Sequence, residues 1–218
     1  MPSIASLTFN PFQENTYILY DETLECVILD PGCYTQAERD ELKQFIEAKN
    51  LKPVKLVNTH CHIDHVFGNA FVAKEWNLKL EAHKLEIPLL EKVPQIGEMY
   101  GVPAEESPAI STFLDEGDML KFGNSSFEII FTPGHSPGSL SFYHEKEKFV
   151  ISGDVLFYQS IGRYDFPNSN YEDLVHSIKG KLFKLPDDVT VFSGHGPETQ
   201  IGFEKVNNPF VGEHAVSH

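Results

Sequence analysis

A chain of 218 residues with 41% hydrophobic and 12% aromatic side chains is long enough to bury a sizeable core, which excludes a disordered or fibrous class. Its 17 basic residues against 32 acidic ones leave a formal charge of −15, which argues against nucleic acid or an anionic membrane surface as a general partner. Cys26, Cys33 and Cys61 are an odd number without finger-like spacing, so a disulfide framework is not expected.

The opening Met1-Pro2-Ser3-Ile4 has no basic or long apolar leader, and no run of about 18 apolar residues occurs. A soluble, cytoplasmic protein is the expectation. With no linker, repeat or low-complexity block, one domain over 1–218 is expected. Residues 4–9, 16–20 and 25–29 read as short strands separated by Asn10-Pro11 and Asp21-Glu22, and the third ends at Asp30-Pro31-Gly32. Leu42, Phe45, Ile46 and Ala48 recur at helical spacing between Gln36 and Lys49, and Asn50 and Pro53 stop that helix.

The short apolar run Val54 to Val57 then delivers Thr59-His60-Cys61-His62-Ile63-Asp64-His65, in which four metal-binding side chains fall within six residues. Imidazole and carboxylate are common ligands of zinc, manganese and iron, and crowding them together without a cation would set polar groups against one another. Cys61 lies between two candidate ligands. Alternation along an extended segment turns its side chain away from both, so a place in the fold behind the site is favoured over a thiolate ligand. Asp64 stands near the start of a helix carried by Val66, Phe67, Ala70, Phe71, Ala73 and Trp76. Simple capping would account for one carboxylate, but not for three histidines beside it.

Residues 79–83 form a further predicted strand, and 84–116, with four prolines, reads as a flap or insertion. From 117 to 152 the chain reads as several strands joined by tight turns, and the strand-then-ligand pattern returns. Phe127 to Phe131 leads through Thr132-Pro133-Gly134 to His135, and Phe149 to Ile151 leads through Ser152-Gly153 to Asp154. After an aromatic loop, Leu156 to Asn170, and a predicted helix from Tyr171 to Phe183, Val189 to Phe192 leads through Ser193-Gly194 to His195. Glycine before a ligand permits the close approach that a crowded site needs. His60, His62, Asp64, His65, His135, Asp154 and His195 are therefore the candidate ligands. Arg163, Tyr158 and Tyr164 are candidates for substrate contact, since guanidinium grips carboxylates bidentately and such loops rim sites. The competing reading is a structural Arg163–Asp165 pair; Asp165 is also a candidate partner for a ligating imidazole. His83, His144, His176, His214 and His218 have ordinary contexts.

Strand-rich halves with helices outside them predict an α/β architecture of two packed sheets. Thr-His-x-His-x-Asp-His at 59–65, Pro-Gly-His at 133–135, Gly-Asp at 153–154 and Gly-His-Gly at 194–196 together resemble the metallo-β-lactamase superfamily. The resemblance spans nearly the whole chain and implies a four-layer αβ/βα sandwich of two mixed sheets. Gly162-Arg163-Tyr164-Asp165-Phe166-Pro167 and Gly194 to Thr199 make it similar to small glyoxalase II-like hydrolases. That likeness implies two divalent metal ions per chain, zinc foremost, with iron or manganese as alternatives. His60, His62 and His135 would hold one, Asp64, His65 and His195 the other, and Asp154 would bridge them. Two such ions lower the pKa of a shared water, so a metal-held hydroxide is the implied nucleophile. Asp154 and Asp64 are the carboxylates assigned to catalysis.

The implied substrate is a small-molecule thioester, whose thiol leaving group, with a pKa of about 8–9, needs no strong general acid. Glyoxalase II carries a helical C-terminal domain that helps bind glutathione, whereas only 23 residues follow His195 here, so another thiol carrier is open. The expected state is a monomer or homodimer. The rival implied by the same resemblance is a mononuclear iron persulfide dioxygenase using His60, His135 and Asp154; a non-catalytic metal-binding module is the remaining alternative.

Overall fold

The computed structural model describes residues 1–215; His218 lies outside them. The chain forms two compact units, one of Met1–Leu114 with Lys121–Ser126, the other of Asp115–Leu120 with the described residues from Phe127 onward.

The first unit contains β1 (Ser3–Phe9), β2 (Glu14–Tyr20), β3 (Glu25–Leu29), α1 (Gln36–Ala48), β4 (Lys52–Val57), α2 (Ile63–Val66), α3 (Asn69–Trp76), β5 (Leu80–Ala82), a 3-10 turn (Lys84–Glu86), α4 (Ile87–Leu90), α5 (Val93–Tyr100) and β6 (Ile110–Phe113). Its sheet runs in sequential order from β1 to β6. β1 to β3 form an antiparallel meander, while β3 to β6 are parallel and joined by helical crossovers, as parallel neighbours require. Thr35 and Glu38 close a capping box at the start of α1, whose buried face is Leu42 and Ile46. These pack with Ile18, Ile28, Leu56, Leu80 and Val72.

The helix expected after the histidine motif is divided into α2 and α3. The Gly68 N–H donates to the Pro31 carbonyl at 2.7 Å, drawing the backbone against the loop after β3, and a Cβ there would meet Cys33 Sγ at 2.5 Å. The stretch 84–116 supplies α4, α5 and edge strand β6, with Leu90 and Val93 in the same core cluster.

β7 (Met119–Phe122) and β8 (Ser125–Phe131) each have residues in both units, and the second unit continues with β9 (Leu140–His144), β10 (Phe149–Gly153), β11 (Leu156–Phe157), β12 (Ser160–Ile161), α6 (Tyr171–Val175), β13 (Thr190–Ser193), β14 (Thr199–Gln200) and α7 (Ile201–Asn207). The sheet order is β14-β13-β10-β9-β8-β7. Every residue of β9 and β10 is buried, which suits central strands. β10 and β13 are parallel, and the remaining described pairings are antiparallel. The aromatic loop contains a small hairpin, β11-β12, and the helix expected over 171–183 widens into a π turn at His176–Lys181 before a 3-10 end. Leu174, Ile178 and Leu182 nonetheless stay on one buried face, packed with Val150 and Val191. Both sheets are mixed and the class is α/β.

Candidate metal centre

In the first unit the site is built where two parallel strands end side by side. Leu29 of β3 pairs with Val57 of β4, and the Asp30 N–H bonds the Val57 carbonyl at 2.9 Å, so the loops after both strands leave together. Asp30 Oδ1 accepts from the Thr59 N–H at 2.7 Å, and Oδ2 accepts from the Thr59 hydroxyl at 2.5 Å. Since that hydroxyl donates to Asp30, the 3.0 Å contact between Thr59 Oγ1 and His60 Nδ1 makes His60 Nδ1 the donor. His65 Nδ1 likewise meets Asp30 Oδ2 at 3.0 Å. Both imidazoles thus carry hydrogen on Nδ1 and present an Nε2 lone pair. The His65 Nε2 lies 3.8 Å from Asp64 Oδ2, and the His60 ring centroid is 4.8 Å from that of His62 and 4.1 Å from that of His65. Asp30, His60 and His65 offer ligand atoms within 4.8 Å of one another.

The second unit repeats this logic. Gly153 of β10 pairs with Ser193 of β13, and the Gly194 N–H bonds the Gly153 carbonyl at 2.9 Å, placing Asp154 and His195 at adjacent strand ends. His195 Nε2 and His135 Nε2 each lie 3.5 Å from the same oxygen, Asp154 Oδ2. His135 Nδ1 donates to the Arg163 carbonyl at 2.8 Å, leaving Nε2 as a second acceptor facing the carboxylate. Two acceptors face each other favourably only across a cation, so this donor set fits a divalent metal. Gly134, at φ 133°, is required before His135, because a Cβ there would stand 2.2 Å from the Leu174 backbone nitrogen.

Cys61 is buried in the apolar cluster of the first unit, and burial, then the neighbouring Glu86 and Asp30 carboxylates, push its thiol well above the usual range. It is a packed thiol, as alternation predicts. Arg163 makes the bidentate pair with Asp165, both bonds at 2.9 Å, and its guanidinium carbon lies 4.3 Å from the Phe166 ring centroid. The hydrogen bond from Arg163 holds the Asp165 carboxyl below its ordinary value. The partner expected of Asp165 on a ligating imidazole is the Arg163 backbone carbonyl instead, which bonds His135. Tyr158 stacks on Phe203 and Tyr164 leans on Tyr171, both partly exposed.

Asp30 was legible in the sequence only as a turn former, although it stands at a strand end as the ligands do. Glu14, fully buried, accepts from the Thr16 hydroxyl at 2.9 Å and lies 3.9 Å from His65 Nδ1. Burial pushes its carboxyl well above the usual range, against the opposing pull of His65. Among the described residues no helix is long and apolar enough to cross a membrane.

The metallo-beta-lactamase superfamily model matches residues 9–195. The chain is 38% identical to "Probable metallo-hydrolase YqgX" of Bacillus subtilis, over 92% of this chain and 93% of that protein. It is 35% identical to "Hydroxyacylglutathione hydrolase GloC" of Haemophilus influenzae, over 96% and 98%. Among solved structures, the BLEG-1 B3 metallo-beta-lactamase matches with TM-score 0.88 and 35% identity, covering 96% of this chain and 99% of that one. TTHA1623 in a di-iron-bound form matches with TM-score 0.85 and 35% identity, covering 94% and 99%.

Proposed function

The chain belongs to the metallo-β-lactamase superfamily, and from that premise we propose that it is a dinuclear metal-dependent hydrolase of small-molecule thioesters. The observation that carries this reading is the orientation of the imidazoles. His60, His65 and His135 each spend Nδ1 on a protein acceptor, and Nε2 of His65 and of His135 faces a carboxylate. In this reading His60, His62 and His135 would hold one ion, Asp64, His65 and His195 would hold the second, and Asp154 would serve both. Zinc is the expected metal; iron is the alternative that the di-iron form of TTHA1623 supports, and manganese suits the same donors. Bound divalent ions would supply a water of lowered pKa and polarise the substrate carbonyl.

The chain's own groups do the rest. Asp154 and Asp64 accept hydrogen bonds from the attacking water and orient it towards the carbonyl carbon. Asp30 and Thr59 keep His60 and His65 in the tautomer that leaves Nε2 open. The GloC likeness supports a thioester, and a thiolate leaves without a general acid. Arg163 would turn from Asp165 to grip a substrate carboxylate; both side chains are largely exposed, so the pair holds the guanidinium only weakly.

The second reading, a mononuclear iron persulfide dioxygenase on His60, His135 and Asp154, draws support from the 3.5 Å His135–Asp154 approach, which joins two of the three members of a two-His-one-carboxylate set. Assaying the metal-loaded protein against an acyl-thioester panel, a glutathione persulfide and a β-lactam separates the readings. Thioester turnover at least a hundredfold above the other two is expected; dioxygen uptake on the persulfide without thioester cleavage would reverse the assignment.

A further inference from the structure

A carboxylate outside the ligand set is buried beside the second unit's ligands. Glu204, on α7, is 0% exposed, and among the described residues no lysine or arginine pairs with it. Uncharged donors take up its oxygens. Oε1 accepts from the Thr199 hydroxyl at 2.5 Å, Oε2 accepts from the Asn208 amide at 2.7 Å, and the Gln159 N–H reaches both, at 3.0 and 3.1 Å. A carboxylate is costly to bury, and this one is held by bonds that join three separate segments.

Those segments surround His195. Thr199 opens β14 just after the His195 loop, and Gln159 forms the turn of the β11–β12 hairpin. Gln159 sits at φ 52°, unfavourable for glutamine, and the two bonds to its N–H offset that strain. Asn208 also donates to the Ser160 carbonyl at 3.0 Å, tying down the far side of the turn. At the hairpin's start, the Leu156 carbonyl accepts from the Ser193 hydroxyl at 2.7 Å, just ahead of His195. The His195 loop is thus fastened to one hairpin on both flanks, through Ser193 to Leu156 and through Thr199 and Glu204 to Gln159. Between these ties the Phe157 ring lies 6.3 Å from the His195 ring, and Tyr158 stacks on Phe203 of α7 at 5.3 Å. The His195 side chain is 27% exposed, against 4% for His135, so core packing restrains it less and the hairpin restrains it more.

We propose that Glu204 is a positioning residue for His195: by joining Thr199 to the Gln159 turn it holds Phe157 against the imidazole and keeps His195 Nε2 facing Asp154 Oδ2. This rests on the dinuclear reading above, because it makes Glu204 a determinant of the ion that His195 serves and not of the other.

Chelator competition on the zinc-loaded protein yields two stepwise constants, and the one that His195→Ala removes belongs to the ion that His195 serves. In Glu204→Gln, an oxygen kept on Thr199 and Gln159 turns an NH2 towards the Asn208 NH2, donor against donor, so the tie opens at Asn208. Kd of the His195 ion should then rise about tenfold while that of the other ion stays within about twofold. Thr199→Val, which keeps the carboxylate and removes only one donor, should raise the same constant about threefold and carries the comparison if Glu204→Gln does not fold. Lys205→Ala, which removes the α7 bonds to Leu185 and Asp187, should lower Tm and leave both constants in place. In the metal-free protein, nuclear Overhauser contacts between the Phe157 and His195 rings should be present in the parent and weakened in Glu204→Gln and Thr199→Val. A fall in Tm with both constants and the ring contacts unmoved would overturn the proposal and leave Glu204 as fold support alone. Equal weakening of the two ions would overturn it as well. One ion per parent chain, with the ring contacts still dependent on Glu204, would overturn the dinuclear reading and keep the positioning role.

Discussion

Asp30→Asn separates the carboxylate that orients the ligands from the ligands themselves. Asp30 is 2% exposed and accepts from Thr59 N at 2.7 Å, Thr59 Oγ1 at 2.5 Å, His65 Nδ1 at 3.0 Å and Asn58 Nδ2 at 3.3 Å. An amide has the same shape but one acceptor oxygen, so with Oδ1 kept on Thr59 N–H, a new NH2 confronts the Thr59 hydroxyl and the His65 N–H. Two buried donors lose their acceptor, at about 1 kcal/mol or more each, giving a destabilisation of about 2–3 kcal/mol. For a chain of this size that lowers Tm by about 4–12 °C. Because His65 and His60 lose the bonds that fix their tautomers, metal affinity should fall about 10–100-fold. Urea melts of the metal-free protein and chelator competition on the loaded protein measure the two effects separately. A variant with metal affinity within threefold of the parent would refute the tautomer argument even if stability fell as expected.

Asp154→Asn should abolish thioester turnover and lower metal content, because both His135 and His195 face its Oδ2; unchanged turnover sinks the shared-ligand assignment. Arg163→Ala should raise KM for carboxylate-bearing substrates several-fold with kcat and Tm little altered, since the Arg163–Asp165 pair is exposed. The acid limb of stability should depend on Asp21: burial alone would raise its pKa, but bonds from the Thr23 hydroxyl and amide, Ser125 and Asn124 outweigh it and hold it at about 2. A lowered folded pKa means stabilisation present above the unfolded value of 3.8 and lost between 3.8 and about 2, so Asp21→Asn should flatten denaturation midpoints over that window; an unchanged slope would remove Asp21 from the explanation. All three cysteines are buried, so Ellman's reagent should find no fast-reacting thiol until urea unfolds the chain.

Strand ends were the most legible part of the sequence, because alternation and turn residues are local: the first three strands, α1 and the histidine loop fall where periodicity puts them. The grammar of an apolar run, a small residue and a candidate ligand picks out His135, Asp154 and His195; the parallel neighbours β10 and β13 bring Asp154 and His195 to adjacent ends, while His135 follows β8, whose described partner β9 is antiparallel. Asp30 falls outside that pattern, because it follows Leu29 with no small residue between them and Asp30-Pro31 reads first as a turn. The break between α2 and α3 was not legible, since it depends on the Gly68 bond to Pro31, a contact across 37 positions of sequence. The π turn at His176 has no sequence signal that separates it from an ordinary helix.

Metal stoichiometry tests the central claim most directly. Elemental analysis of tag-free protein purified without chelator or added metal should find close to two ions per chain, zinc-rich or mixed, falling to about one in His195→Ala. One iron per chain, retained in full by His195→Ala, would contradict the dinuclear hydrolase and favour the mononuclear dioxygenase.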